Sequence, residues 1–153
     1  MLNASSILFY QGKATTISIL TDIGCVFCVT KGFQPSAVYR EQAEKQLEAF
    51  EKYHVQGIIW DLREAQVIAS EDQNWTINYW LPKALALGYR RGAIVIPENI
   101  FGEMSVRKTI SRIQLEDQNT EADLAVQYFK DVPSAYEWMK AEISELKAGL
   151  TKQ

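Results

Sequence analysis

The chain has 153 residues, enough to bury one hydrophobic core and too few for two domains of ordinary size. With 47% hydrophobic and 23% charged residues, its composition is typical of a globular protein and excludes a disordered or fibrous one. The net charge of -3 and the lack of a basic cluster argue against nucleic acid and against membrane surfaces as partners. We therefore expect one domain over residues 1–153.

The apolar runs indicate a protein without membrane insertion. They have the length of strands, far below the roughly 20 residues that a membrane-spanning helix needs. No basic segment precedes the first apolar run, so the pattern of a secretory signal is missing. We expect a cytoplasmic protein.

Three short β-prone runs begin the chain, at residues 7–11, 15–20 and 25–30, with glycine in the gaps between them. This spacing predicts an antiparallel meander at one edge of a sheet. The third run contains Cys25 and Cys28, which have the Cys-x-x-Cys spacing of redox and zinc sites. A strand places these thiols on opposite faces, and no second ligand pair exists, so we interpret them as reduced and buried.

A helix, a strand and a second helix are predicted next. Ser36 can cap a helix that runs to Tyr53 and buries Ala43, Leu47 and Phe50 on one face. Residues 57–60 form a continuous apolar run, which is typical of a central strand covered on both faces. After a predicted loop at 62–69, Ser70 caps the second helix.

The second helix carries acidic residues in its first turn, where the helix dipole favours negative charge. Pro82 removes one backbone hydrogen bond and predicts a bend near Asn78, and Gly88 marks the C-terminal end. The predicted buried stripe consists of Ile77, Trp80, Leu81 and Ala84.

The remaining chain predicts a strand at 92–96, a helix that begins at Asn99, a polar loop at 115–123, a strand at 124–129 and a helix at 132–147. Residues 148–153 are expected to fray. Strands that alternate with helices are typical of a parallel sheet. The predicted fold is therefore a single-domain α/β structure with a mixed sheet, an N-terminal antiparallel meander, parallel βαβ strands and about four helices.

A set of residues scattered over nearly the whole chain follows the pattern of a known family: Gly32, Phe33, Ser36, Tyr39, Arg40, Asp61, Leu62, Arg63, Ser70, Glu71, Asp72, Trp75, Trp80, Pro82, Gly88, Pro97, Phe101, Ser105, Tyr128, Phe129, Ala135 and Trp138. With these residues the chain resembles the bacterial SpoIIAA-like group, which belongs to the wider STAS and CRAL-TRIO-like α/β class. The resemblance implies a SpoIIAA-like (STAS-like) fold, and many members of the group have no assigned function.

The resemblance also implies a role for Ser70. In anti-sigma-factor antagonists of this class, a serine at the start of the corresponding helix is phosphorylated by a partner kinase. Ser70 occupies that position and is the candidate phosphoacceptor or partner contact. Glu71 and Asp72 replace neutral residues of the family motif and add like charge where a phosphate would sit, which disfavours phosphorylation.

The candidate interaction surface consists of Asp61, Arg63, Glu71, Asp72, Trp75 and Tyr79. Some of these residues, and Ser70, also have a simpler structural interpretation. Asp61 and Arg63 can form a local ion pair, Ser70 can serve simply as a helix cap, and the tryptophans can belong to the core.

No catalytic, metal-binding or cofactor-binding motif is recognisable. The chain has one histidine, His54, and lacks a glycine-rich phosphate loop. The leading hypothesis is a non-enzymatic STAS-like module, without cofactors, that binds an unknown protein partner in regulation. The alternative, which follows from the CRAL-TRIO similarity, is a carrier of a small lipid or other apolar ligand. A homodimer through the three-strand edge is also compatible with the sequence.

Overall fold

The computed structural model of the protein describes residues 5–96 and 123–151. The predicted helix that begins at Asn99 and nearly all of the predicted loop at 115–123 lie outside these residues. Within them the chain forms three helices. It also forms six strands, which are β1 (Ser6–Gln11), β2 (Thr15–Leu20), β3 (Cys25–Gly32), β4 (Gly57–Ala65), β5 (Arg91–Val95) and β6 (Ala125–Phe129).

The strands form one mixed sheet in the order β1-β2-β3-β4-β5-β6. The first three strands pair antiparallel, and β3 to β6 pair parallel. The predicted α/β class, the N-terminal meander and the mixed sheet are confirmed. Residues 57–60 lie in β4, between β3 and β5, so the prediction of a central strand is also confirmed.

Strand β4 is longer than predicted. It continues to Ala65, so residues 62–65, which were expected to begin a loop, are strand. The cause is β3, which runs to Gly32 and offers backbone partners to β4, with Lys31 opposite Glu64 and Gly32 opposite Ala65.

The two faces of the sheet are covered by different helices. On the face here called the front, Ile58 and Cys28 pack in one core cluster with helices α1 and α2. On the opposite face, here called the back, Ile59 and Cys25 pack in a second cluster under helix α3. The period of two along each strand thus places the two cysteines on opposite faces, as predicted.

Helix α1 spans Ser36–Tyr53, as predicted, and buries Ala43, Leu47 and Phe50 against the front. The predicted cap is wrong, because Pro35 occupies the cap position and the Ser36 hydroxyl bonds elsewhere. At the other end, the His54 backbone N–H donates to the Phe50 carbonyl oxygen at 2.9 Å. His54 therefore closes the helix in a left-handed conformation, with φ of 51°.

Helix α2 covers residues 70–86 in three segments: α-helical Ser70–Trp75, π-helical Thr76–Trp80 and α-helical Leu81–Ala86. The π-helical segment contains Asn78, where the sequence predicted a disturbance, because Pro82 has no N–H to offer four residues back. The predicted stripe is buried, and Gly88 follows the helix with φ of 107°.

Helix α3 spans Val132–Thr151 and packs Ala135, Met139 and Ile143 against the back. The Asp131 carboxylate caps it by accepting the Ser134 backbone N–H at 2.8 Å. The helix continues to Thr151 and so includes residues 148–151 of the segment that was expected to fray. No helix in the two described ranges is long and apolar enough to cross a membrane.

Candidate functional site

Asp61 and Arg63 form a local ion pair on β4. Arg63 Nε donates to Asp61 Oδ1 at 2.9 Å, and Arg63 Nη2 donates to Asp61 Oδ2 at 2.8 Å. The geometry is bidentate because residues two apart on a strand point to the same face. The local interpretation of this pair is confirmed, and both residues lie in a strand rather than in the predicted turn.

The Asp61–Arg63 pair lies on the back of the sheet. It lines a groove of about 400 Å³ together with Ser18 and with Val132 and Pro133 at the start of α3. Helix α2 packs on the front. The six residues predicted as one interaction surface are therefore divided between opposite faces of the sheet.

Asp72, which was expected to face water, is buried with an exposed fraction of 1%. Its Oδ1 accepts Arg40 Nε at 3.1 Å, and its Oδ2 accepts the Ser36 hydroxyl at 2.8 Å. Both partners come from α1, so a carboxylate that looked like a helix-dipole charge instead joins two helices. Asp72 and Asp61 are thus removed from the exposed candidate surface.

Ser70 and Glu71 remain at the surface, as predicted. Ser70 does not cap α2, because Ala69 holds the extended conformation of the cap position and no side chain bonds there. Glu71 Oε1 lies 3.0 Å from the Ser36 hydroxyl, which therefore shares its proton between Glu71 and Asp72.

A row of two aromatic side chains with a cation at each end, here called the aromatic strip, runs along the outside of α1 and α2. Trp75 and Tyr79 stack with ring centroids 4.9 Å apart and an interplanar angle of 23°. The Arg40 guanidinium lies 5.3 Å from the Trp75 ring, and the Lys83 ammonium lies 4.9 Å from the Tyr79 ring. The strip consists of these four residues, and its two rings are partly exposed.

Neighbouring residues fix the strip in place. Arg40 is held by the buried Asp72, and the Tyr79 hydroxyl donates to Glu44 Oε2 at 2.9 Å. Trp80, in contrast, is buried and donates its Nε1–H to the Ala43 carbonyl oxygen at 3.0 Å. Of the two tryptophans on this helix, Trp75 is therefore at the surface and Trp80 is in the core.

A cavity of about 100 Å³ lies between α1, α2 and the front of the sheet. Its walls combine aromatic side chains, Trp60, Trp80 and Tyr89, with the amides of Gln42 and Gln46. Sequence reasoning missed both glutamines. Their i, i+4 spacing on the buried face of α1 was the available signal, since glutamine is seldom buried.

Neither cysteine is suited to redox chemistry. Burial raises the pKa of the Cys25 thiol, and nearby Asp22 adds to the effect. Burial also raises the pKa of Cys28 well above its usual value. Both thiols are free, and the part of the chain that the structure describes holds no cluster of three or more metal-ligating side chains.

No protein-family model matches the chain, and a search of curated proteins returned no relative.

Proposed function

We propose that the protein is a non-enzymatic interaction module of STAS-like fold that binds a protein partner in regulation. Its contact surface is the aromatic strip on the front, with exposed Ser70 and Glu71 beside it. The cytoplasm is the proposed location. The observation that carries the proposal is the stack of Trp75 on Tyr79, bracketed by Arg40 and Lys83.

The composition of the strip and the fixed positions of its side chains support this proposal. Tryptophan, tyrosine and arginine are the residues most enriched among those that dominate the energetics of protein interfaces. Arg40 and Tyr79 are already held by Asp72 and Glu44, so less side-chain entropy is lost when a partner binds. A rigid aromatic surface with cations at both ends suits a partner that presents an apolar patch flanked by carboxylates.

A photo-crosslinking amino acid placed at Ser70 tests the proposal, with Lys140 on α3 as the control position. The captured protein is then purified, and its affinity is measured for the wild type, for the Trp75→Ala/Tyr79→Ala variant and for a control, Tyr136→Ala. We expect the double variant to weaken binding tenfold or more, about 1.4 kcal/mol, because it removes the stacked rings.

The control variant should bind as the wild type does, since Tyr136 belongs to α3 and packs on the back. The proposal fails if no captured protein depends on Trp75 and Tyr79 while circular dichroism shows the double variant to be folded.

The alternative of a lipid carrier has weaker support. The cavity beside α2 measures about 100 Å³, whereas pockets for drug-sized ligands are typically about 300–1,000 Å³. A homodimer has its support in β1, an edge strand of the described sheet on which Ile7 and Leu8 are 44% and 60% exposed. Sedimentation equilibrium of the wild type and of Leu8→Lys distinguishes the dimer from the monomer.

A further inference from the structure

The cavity between α1, α2 and the front contains hydrogen-bond donors that nothing in the described part of the chain satisfies. Tyr89 is 2% exposed, and its hydroxyl makes no hydrogen bond to any described residue. No fully enclosed side-chain nitrogen or oxygen in residues 5–96 and 123–151 lacks a partner. The Tyr89 hydroxyl must therefore reach open space, and the open space it lines is the cavity.

A chain of hydrogen bonds ends in a second donor. Trp60 Nε1 donates to Gln46 Oε1 at 3.4 Å, and Gln46 Nε2 donates to Gln42 Oε1 at 2.5 Å. Gln42 Nε2 has no acceptor within the described ranges, although the residue is only 5% exposed and lines the cavity. Bonds in such a chain polarise one another, so the terminal amide is a strengthened donor.

Among the described residues that line the cavity, none has a charged side chain. Because burying an unpaired charge is costly, a bound molecule must be neutral. Burial raises the pKa of Tyr89, which keeps its hydroxyl protonated and able to donate. The aromatic rings of Trp60 and Trp80, which pack against the Tyr89 ring, supply apolar wall beside these donors.

We propose that this cavity is a binding site for a small neutral molecule that accepts hydrogen bonds from Gln42 and Tyr89. A carbonyl or ether oxygen on a compact apolar body has the required chemistry. A cavity of about 150 Å³ holds the six carbon atoms of benzene in an engineered protein, so about 100 Å³ suits about four non-hydrogen atoms. The inference stands on the cavity alone and is independent of the aromatic strip.

A titration followed by ¹⁵N-resolved NMR tests the site with four probes of similar size. Acetone is the neutral acceptor, and isobutene has the same shape without the oxygen. Acetate and isopropylammonium are the charged controls. The reporters are the indole N–H signals of Trp60 and Trp80 and the side-chain amide of Gln42, all of which line the cavity.

We expect acetone to shift these signals saturably, with an affinity about tenfold above that of isobutene, because only the ketone accepts hydrogen bonds from both donors. The charged probes should leave the signals unchanged. Tyr89→Phe and Gln42→Leu should each reduce the preference for the ketone while isobutene binds as before. Tyr53→Phe, which removes the hydroxyl of a ring that packs on Phe9, is the matched control and should bind acetone normally.

Three results overturn the proposal. The first is the absence of saturable shifts with either neutral probe, which would show that the cavity holds only water. The second is equal affinity for the ketone and the hydrocarbon. The third is unchanged ketone binding by both Tyr89→Phe and Gln42→Leu, provided that their spectra show folded proteins.

Discussion

Gly92 lies so close to Tyr89 that a Cβ at position 92 would overlap the Tyr89 hydroxyl oxygen. The same Cβ would lie 3.1 Å from the Trp60 ring. Gly92→Ala should therefore lower the free energy of unfolding by about 2 kcal/mol, because rigid buried rings must move. Urea denaturation followed by tryptophan fluorescence measures the change.

Removing the Tyr89 oxygen should relieve this overlap. Gly92→Ala in a Tyr89→Phe background should lower the free energy of unfolding by less than it does in the wild type, and a double-mutant cycle measures the difference. Gly149→Ala on α3 is the control, since its Cβ would meet nothing within 4 Å. An equal cost of Gly92→Ala in both backgrounds would show that the hydroxyl is not the obstacle.

The ion pair between Arg40 and Asp72 should contribute to stability because one partner is buried. Arg40→Ala removes the cationic partner of the Asp72 carboxylate and leaves it the hydrogen bond from the Ser36 hydroxyl. The variant should lower the free energy of unfolding by about 2 kcal/mol. The control is Lys45→Ala, which breaks the exposed pair between Lys45 and Glu48 and should cost less than about 0.5 kcal/mol. Chemical denaturation that gives the same loss for both variants would contradict this account.

Two serines that the sequence assigned to helix caps should now behave differently. Ser36→Ala removes a hydroxyl that bonds to Glu71 and Asp72 and should cost about 1 kcal/mol. Ser70→Ala should change the stability by less than about 0.5 kcal/mol, because its side chain caps nothing. A larger loss of stability for Ser70→Ala than for Ser36→Ala in thermal unfolding would show that Ser70 caps α2, as the sequence predicted.

Both thiols should be inert in the folded protein. Burial raises the pKa values of Cys25 and Cys28, so at pH 8 neither forms the reactive thiolate. A disulfide reagent such as DTNB should react with both in urea and with neither under native conditions. Ala141→Cys, at an exposed position of α3, provides the reactive control; fast native labelling of the wild type would contradict the burial.

The raised pKa values of the same two thiols predict that the folded protein loses stability in alkali. Their folded pKa values lie above the unfolded value near 9, so folding keeps them protonated. The contribution of the thiols to the free energy of unfolding is fully present below pH 9. Above pH 9 the free energy of unfolding falls by roughly 1 kcal/mol per pH unit for each thiol, since only the unfolded chain releases the proton. Burial raises the pKa of Tyr39 to about 12, which adds to the loss above pH 10.

A pH series of urea midpoints measures this slope. The slope should become shallower in Cys28→Ala, which removes one of the two titrating thiols. A stability that stays constant from pH 8 to 11 would show that the thiols titrate alike in the folded and unfolded chain.

Much of the fold follows from local pattern. The β-prone runs at 15–20 and 25–30 and the i, i+4, i+7 spacing of Ala43, Leu47 and Phe50 identify elements whose bounds agree closely with the structure. The ends of elements were less predictable where the cause was a neighbour in space. Strand β4 runs to Ala65 because β3 lies beside it, and the local sequence of β4 does not indicate this pairing.

The candidate site was predictable only in part. The sequence identified Ser70, Glu71, Trp75 and Tyr79 as surface residues of one helix, and the structure places all four on α2. It did not reveal that Asp72 is buried, because its partners Ser36 and Arg40 are more than thirty residues away.

The sequence by itself determined which residues form strands and helices and which side of each element is apolar, since periodicity is a property of neighbours along the chain. Only the tertiary structure decided which polar groups meet. It placed Asp61 and Arg63 on the back, set the Trp75–Tyr79 stack between two cations on the front, and left Gln42 and Tyr89 facing a cavity. The physical reason is that these relations depend on how helices pack across a twisted sheet, which joins residues far apart in the chain.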